Sequence, residues 1–161
     1  KIKVLNLDQE KWKKKDIPEA RYLNCVSVPE ILDKVDKLIL LPCLKTHMLA
    51  RFTGALKLSV GFMEPKERLS LHARRLQEKT AELNAVIKPD LVIMDGRTCF
   101  IKHGPMDGPR EHPDLILAST DRTALDIEGV KIIQQYSGNS LSDIQPEELP
   151  QIKRAREMKI E

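Results

Sequence analysis

The sequence predicts an α/β fold, a mainly parallel sheet flanked by helices, and three observations carry that prediction. First, the stretches 37–41, Val92-Ile93-Met94 and Leu115-Ile116-Leu117-Ala118 are almost wholly aliphatic. Uninterrupted runs of this kind match strands covered on both faces, as parallel strands are. Second, stretches with apolar residues at helical spacing lie between and after these runs, and alternating strands and helices build layered α/β domains. Third, the chain has 161 residues, 41% of them hydrophobic and 32% charged, which suits one packed domain.

Taken in order, Ile2 to Leu7 alternates roughly and reads as a first strand. The chain opens at Lys1 directly in that run, which suggests the C-terminal portion of a larger domain. Lys11-Trp12-Lys13-Lys14-Lys15, flanked by Asp8, Glu10 and Asp16, is expected to be a solvated loop or hairpin tip. Tyr22 to Val28 reads as a second strand, and Pro29 opens a short helix, since proline is tolerated in a first turn. Glu67 to Ile87 reads as one helix, with Leu69, Leu76 and Leu83 at sevenfold spacing, Ala73 and Thr80 in the same stripe, and Pro89 ending it. Arg122 to Tyr136 reads as another, stopped by Gly138, and Pro146 to Met158 as a last one. The expected organisation is a single α/β domain over 1–161, with a motif-bearing core at 38–130 and a C-terminal helical segment at 139–161.

Composition narrows the partners. The 27 basic and 24 acidic residues leave a net charge of +3, and the one local basic cluster is interrupted by acids, so no nucleic-acid partner is expected. No stretch approaches the length needed to cross a bilayer and no signal peptide is visible, so no membrane partner is expected. Cys25, Cys43 and Cys99 are scattered without a C-x-x-C pair, which excludes a local zinc or iron–sulfur motif in this chain and leaves any cofactor unknown. Scattered thiols in odd number fit a reducing, cytoplasmic location.

Each aliphatic run is followed by a polar cluster: Lys45-Thr46-His47, then Asp95-Gly96-Arg97 with the loop His103–Pro109, then Ser119-Thr120-Asp121-Arg122. Ligands bind outside the carboxyl ends of strands in open α/β sheets, so the three clusters are expected to share one cleft. Lys45 and Lys57 would supply charge for a small anionic ligand, and Thr53 and Gly54 open a helix whose free amides attract anions. Thr46, Gly96, His103, Gly104, Gly108, Asp121 and Asp126 complete the expected ligand-binding set. The spacing G-x-x-x-x-G-K-[ST] is absent, so this is not a Walker loop.

His47 and His72 are the candidate acid and base, with Asp95 orienting a histidine or a metal. His72 follows Leu69 by three and precedes Leu76 by four, which puts it on the apolar side of its helix. His47, His72, His103 and Asp95 could instead hold a metal, although no H-x-H or H-x-x-x-H spacing supports that. Structural roles compete: Asp95-Gly96 is a common turn pair, Asp121 is well placed as an N-cap, and Asp126 reads as an exposed carboxylate near a helix start.

In order along the chain, "LPCLKTH", "FTGALK", His72, "KPDLVIMDG", "HGPMDGP" and "LASTDRTALD" resemble the motifs of the uncharacterised family catalogued as domain of unknown function 362. The resemblance spans roughly residues 38–130, and Leu149-Pro150-Gln151-Ile152 is similar to the family's closing segment. Cys43 stands where the family pattern has a lysine and Leu58 where it has an asparagine. Members commonly carry a ferredoxin-like segment with four-cysteine motifs. The resemblance therefore implies a redox context, and a second reading is a non-catalytic module of an iron–sulfur system with a ferredoxin-like segment or partner. It implies no settled activity. If a preceding portion is missing, an exposed sheet edge or apolar face would favour a homo-oligomer.

Overall fold

The structure is a computed structural model and describes residues 2–161. Its strands are β1 (Trp12–Asp16), β2 (Cys25–Pro29), β3 (Ile39–Leu40), β4 (Lys45–His47), β5 (Arg51–Thr53), β6 (Leu91–Gly96), β7 (Cys99–Phe100), β8 (Arg110–Glu111) and β9 (Leu115–Ser119). Its helices are α1 (Ala55–Leu58), α2 (Pro65–Leu71), α3 (Leu76–Leu83), α4 (Arg122–Gln134) and α5 (Pro150–Glu157).

The three aliphatic runs do form one sheet, in the order β3-β6-β9. It is mixed, not mainly parallel: β3 runs parallel to β6, whereas β9 runs antiparallel to it. The other pairs, β1–β2, β4–β5 and β7–β8, are antiparallel. The reason lies in the connection from β6 to β9. Parallel pairing needs a crossover element, usually a helix, and this connection holds only the small β7–β8 hairpin.

The sheet is also covered on one face only. Leu40, Val92 and Met94 are buried and share a core with Leu125, Val130 and Ile133 of α4. Ile39, Leu41 and Ile116, on the other face, are exposed. An unbroken aliphatic run therefore did not signal two covered faces here.

Local readings fared unevenly. Ile2 to Leu7 pairs with no strand among the described residues, and Ile2 is 94% exposed. The lysine-rich run is a strand, β1, held against β2, with Lys13 and Lys15 both donating to Asp33 (2.9 and 2.7 Å). The helix expected over Glu67 to Ile87 is two helices, because Arg75 takes a left-handed conformation (φ 56°) between them. That break turns Leu69 out to solvent while Leu76 and Leu83 stay buried. α4 matches its expected span within two residues at its end, and the last expected helix begins as a 3-10 turn at Pro146–Glu148 before α5.

A buried clamp fastens α5 and the start of the chain to α3. Glu82 is fully buried and accepts from the backbone N–H groups of Arg21 (2.8 Å), Tyr22 (3.0 Å) and Leu23 (2.8 Å) and from Arg154 Nε (2.9 Å). Burial alone would raise its pKa, but these donors outweigh burial and hold it below the usual carboxylate range. Removing one member of a buried charged pair costs about 3–5 kcal/mol. Glu82→Ala is accordingly expected to lower the unfolding free energy by about that much, measured by urea denaturation, with Lys153→Ala on the exposed face of α5 as a near-neutral control.

Candidate functional site

The expected cleft divides into three places. Antiparallel β9 carries its carboxyl end to the start of β6: Ser119 pairs with Val92 and Leu115 with Gly96. Asp121 therefore lies at the opposite end of the sheet from Asp95, where its side chain caps α4 by accepting from Ala124 N (2.8 Å). Asp95 orients no histidine. Its carboxylate takes Arg97 Nε (3.0 Å) and Nη2 (2.8 Å), and this guanidinium holds its pKa down at about 2. Gly96 packs against Leu115 of β9.

The second place is the start of α1. Its first amides are not free: Asp126, reaching from α4, accepts from Ala55 N (2.6 Å) and Leu56 N (3.1 Å). A carboxyl group does occupy this helix start, and the chain itself supplies it. Gly54 serves the same contact, because a Cβ there would collide with the Asp126 carboxylate and with Phe52. Asp126 is fully buried, not exposed, and burial pushes its pKa up to about 7 against the pull of the two amides and of Arg122. Asn84, which the sequence reading passed over, binds the Leu56 carbonyl (2.9 Å) from α3. Thr53 Oγ1 is buried close by without a hydrogen-bond partner.

The third place is the β4–β5 hairpin, and here several expected residues do meet. In this hairpin His47 stands opposite Arg51 and Lys45 opposite Thr53. The chain turns between them at Met48 to Ala50, and the expected helix restart after Thr53 and Gly54 is α1. His47 edges a cavity of about 230 Å³ whose other lining residues are Met48, Arg51, Lys102, His103 and Ser140. None of these is acidic. A neighbouring cavity of about 210 Å³ is lined by Cys43, Lys45, Cys99 and Arg110, among others. A larger one, about 410 Å³, lies away from all the histidines, between Lys15, Leu32, Asp36 and Asp90.

Gly104 and Thr46 frame the site without facing a ligand. Gly104 has φ +52° and packs on the Thr46 carbonyl, so no side chain fits there. Thr46 is buried, its hydroxyl donating to Phe100 O (3.1 Å). Gly108 is packed on the Lys102 carbonyl in the same loop. Arg51 and Lys102 were missed by sequence reasoning, although Arg51 becomes visible once 45–53 is read as a hairpin.

Electrostatics set the state of His47. Burial, then Lys57, His72 and Lys45, push its pKa down to about 4. Burial likewise lowers the pKa of Lys57. The His47 ring accepts at Nδ1 from Leu49 N (3.1 Å) and Ala50 N (3.2 Å), which leaves its proton on Nε2. His47 is therefore a neutral Nε2–H donor and does not offer a free lone pair as a base. His72 is the reverse: its Nδ1 lies 2.8 Å from Arg68 O, an acceptor, so Nδ1 carries the proton and Nε2 keeps the lone pair.

A metal reading fails on this arrangement: among the described residues no three histidine, cysteine, aspartate or glutamate side chains are placed to hold an ion. Also among these residues, no helix is long and apolar enough to cross a membrane.

Comparison with known proteins follows the same region. A family model described as Domain of unknown function (DUF362) matches residues 1–131. The thylakoid-associated protein sll1697 of Synechocystis sp. is 34% identical over 105 residues, covering 62% of this chain and 33% of that protein. The chain thus spans about a third of the length of this curated relative. No solved structure matches.

Two outcomes are expected. In nitrogen-detected NMR, His47 stays neutral and Nε2-protonated at pH 6, and Lys57→Ala moves its titration upward by about one pH unit. Asp126→Ala leaves two buried amides unpaired and lowers stability by about 3 kcal/mol in chemical denaturation. The pH dependence has a definite sign. The unfolded carboxyl ionises near 3.8 and the folded one at about 7, so this contribution is full below the first value and drains away as pH rises through the second. Asp126→Asn should flatten that decline.

Proposed function

This chain belongs to the family described as Domain of unknown function (DUF362), a name that assigns no activity, and from its own residues we propose that it binds a small anionic ligand at the β4–β5 hairpin. The observation that carries this reading is the surplus of cationic and N–H donor groups around His47. Lys57, His72 and Lys45 each act to keep the ring unprotonated, and no acidic residue lines its cavity. Among the described residues, neither Lys45 nor Lys57 forms an ion pair with a carboxylate. Of the cations at the cavity, Arg51 is committed to Asp143 and to Ser140 O (2.7 Å).

A phosphate or carboxylate placed there would accept from His47 Nε2–H and from the lysine ammonium groups, as charge-assisted hydrogen bonds. Lys102 and His103, across the cavity, would complete the shell. If the ligand is a substrate, His72 is the ring with a lone pair to take a proton, and His47 positions the anion. The free thiols of Cys25, Cys43 and Cys99 support placing this chemistry in a reducing compartment such as the cytoplasm.

The binding reading carries a pH signature. An anion beside His47 favours the imidazolium, so binding of a fixed-charge anion such as sulfate should tighten as pH falls toward the free ring's pKa of about 4. Isothermal titration with inorganic phosphate and with sulfate tests this. The expected result is binding that Lys57→Ala and His47→Ala each weaken about tenfold. Absence of any heat with either anion, or affinity indifferent to both substitutions, would refute the site.

A further inference from the structure

The cavity at His47 has a neighbour along the same strand. Segments 43–48 and 98–103 run side by side, with the Thr46 hydroxyl donating to Phe100 O (3.1 Å) and Met48 N to Gly104 O (3.2 Å). Residues 43–45 and 98–100 line a first cavity of about 210 Å³. Further along the same two segments, His47, Met48, Lys102 and His103 line the second, of about 230 Å³. Thr46 is buried between Lys45 and His47, so these two share the other side of β4. Two residues along a strand set them roughly 6.6 Å apart.

Charge at the first cavity is unmatched. No acidic residue lines it, and among the described residues neither Lys45 nor Arg110 forms an ion pair. Arg110 instead lies over the Phe100 ring, 4.7 Å from its centroid. The carboxylates nearby are Glu111, opposite Cys99 in the β7–β8 register, and Asp95, which Arg97 holds. Two cations thus stand against Glu111 alone. At the second cavity Asp143 neutralises Arg51, and Asp107 stands on the same loop as Lys102. The charge that counts there is therefore the His47 N–H with Lys57 behind it.

We propose that the ligand is a small dianion with its acidic groups at opposite ends, one at His47 and one between Lys45 and Arg110, an assignment that rests on the anion site above and adds the class of molecule that fills it. A single phosphate or carboxylate fills one cavity and leaves the cations of the other unmatched. Leu44, 1% exposed, and Phe100 line the stretch beside Lys45, and they suit an apolar spacer. A dicarboxylate joined by methylene groups has this pattern. Each end gains charge-assisted hydrogen bonds, and the second end binds at the high effective concentration set by the first.

The test is isothermal titration of the full chain with acetate, with sulfate, and with succinate, glutarate, adipate and pimelate in turn. One dicarboxylate is expected to bind about tenfold tighter than acetate, with affinity passing through a maximum along the series. Arg110→Gln should weaken that dicarboxylate about tenfold and leave sulfate binding at His47 unchanged. His47→Ala should weaken both ligands. Circular dichroism of each variant checks that the fold is intact. Dicarboxylates that bind no tighter than acetate would overturn the dianion, while sulfate binding that His47→Ala weakens would leave the anion site standing. Affinity that climbs steadily to pimelate would also overturn it, since apolar contact alone would explain the gain. So would a dicarboxylate indifferent to Arg110→Gln, whose far end would then lie elsewhere. No heat with sulfate or with any dicarboxylate would overturn the dianion and the anion site together.

Discussion

The position of α1 depends on one buried carboxylate. α1 has four residues, far below the length at which a helix is stable by itself. Asp126 satisfies the amides at its start and Asn84 the Leu56 carbonyl, so the turn is held at both ends by side chains from α4 and α3. Lys57 sits on that turn. Its distance from His47, and with it one of the charges that add to burial in depressing the ring's proton affinity, follows from how Asp126 anchors the helix. Gly54 is the sequence trace of this anchor, since a larger residue would push the carboxylate away.

The same use of acids explains why a chain with a net charge of only +3 has a locally cationic site. Glu82 serves three backbone amides and Arg154, Asp126 serves α1, Asp95 serves Arg97, and Asp33 serves two lysines of β1. These acids are engaged inside the protein or at its other surfaces. Among the described residues, Lys45, Lys57 and Lys102 pair with no carboxylate, and the surplus appears at the β4–β5 hairpin. Composition could not reveal this, because it counts charges without saying which are already matched.

Much of the architecture was legible and its directions were not. The aliphatic runs located β3, β6 and β9, and the stop at Gly138 helped to locate α4. Strand direction, however, depends on what connects two strands. The residues after Gly96 form a hairpin and not a crossover, so β9 runs antiparallel and Asp121 lies at the opposite end of the sheet from Asp95. Sevenfold spacing from Leu69 to Leu83 suggested one helix because nothing in Arg75 announces a left-handed residue. At the start of α1 the sequence shows open amides but not their partner, because the carboxyl group that takes them lies 71 residues away in the same chain.

What the site can do follows from the tautomers. Two backbone amides fix the proton of His47 on Nε2, so drawing a second proton onto this ring means giving up the bonds at Nδ1. The surrounding cations oppose the same step. Both effects make His47 a donor of fixed direction, suited to holding an oxyanion and unsuited to abstracting a proton. His72, exposed at the end of α2 and anchored through Nδ1 to Arg68 O, has the opposite polarity. The two rings thus present opposite polarities: His47 offers an N–H and His72 a lone pair.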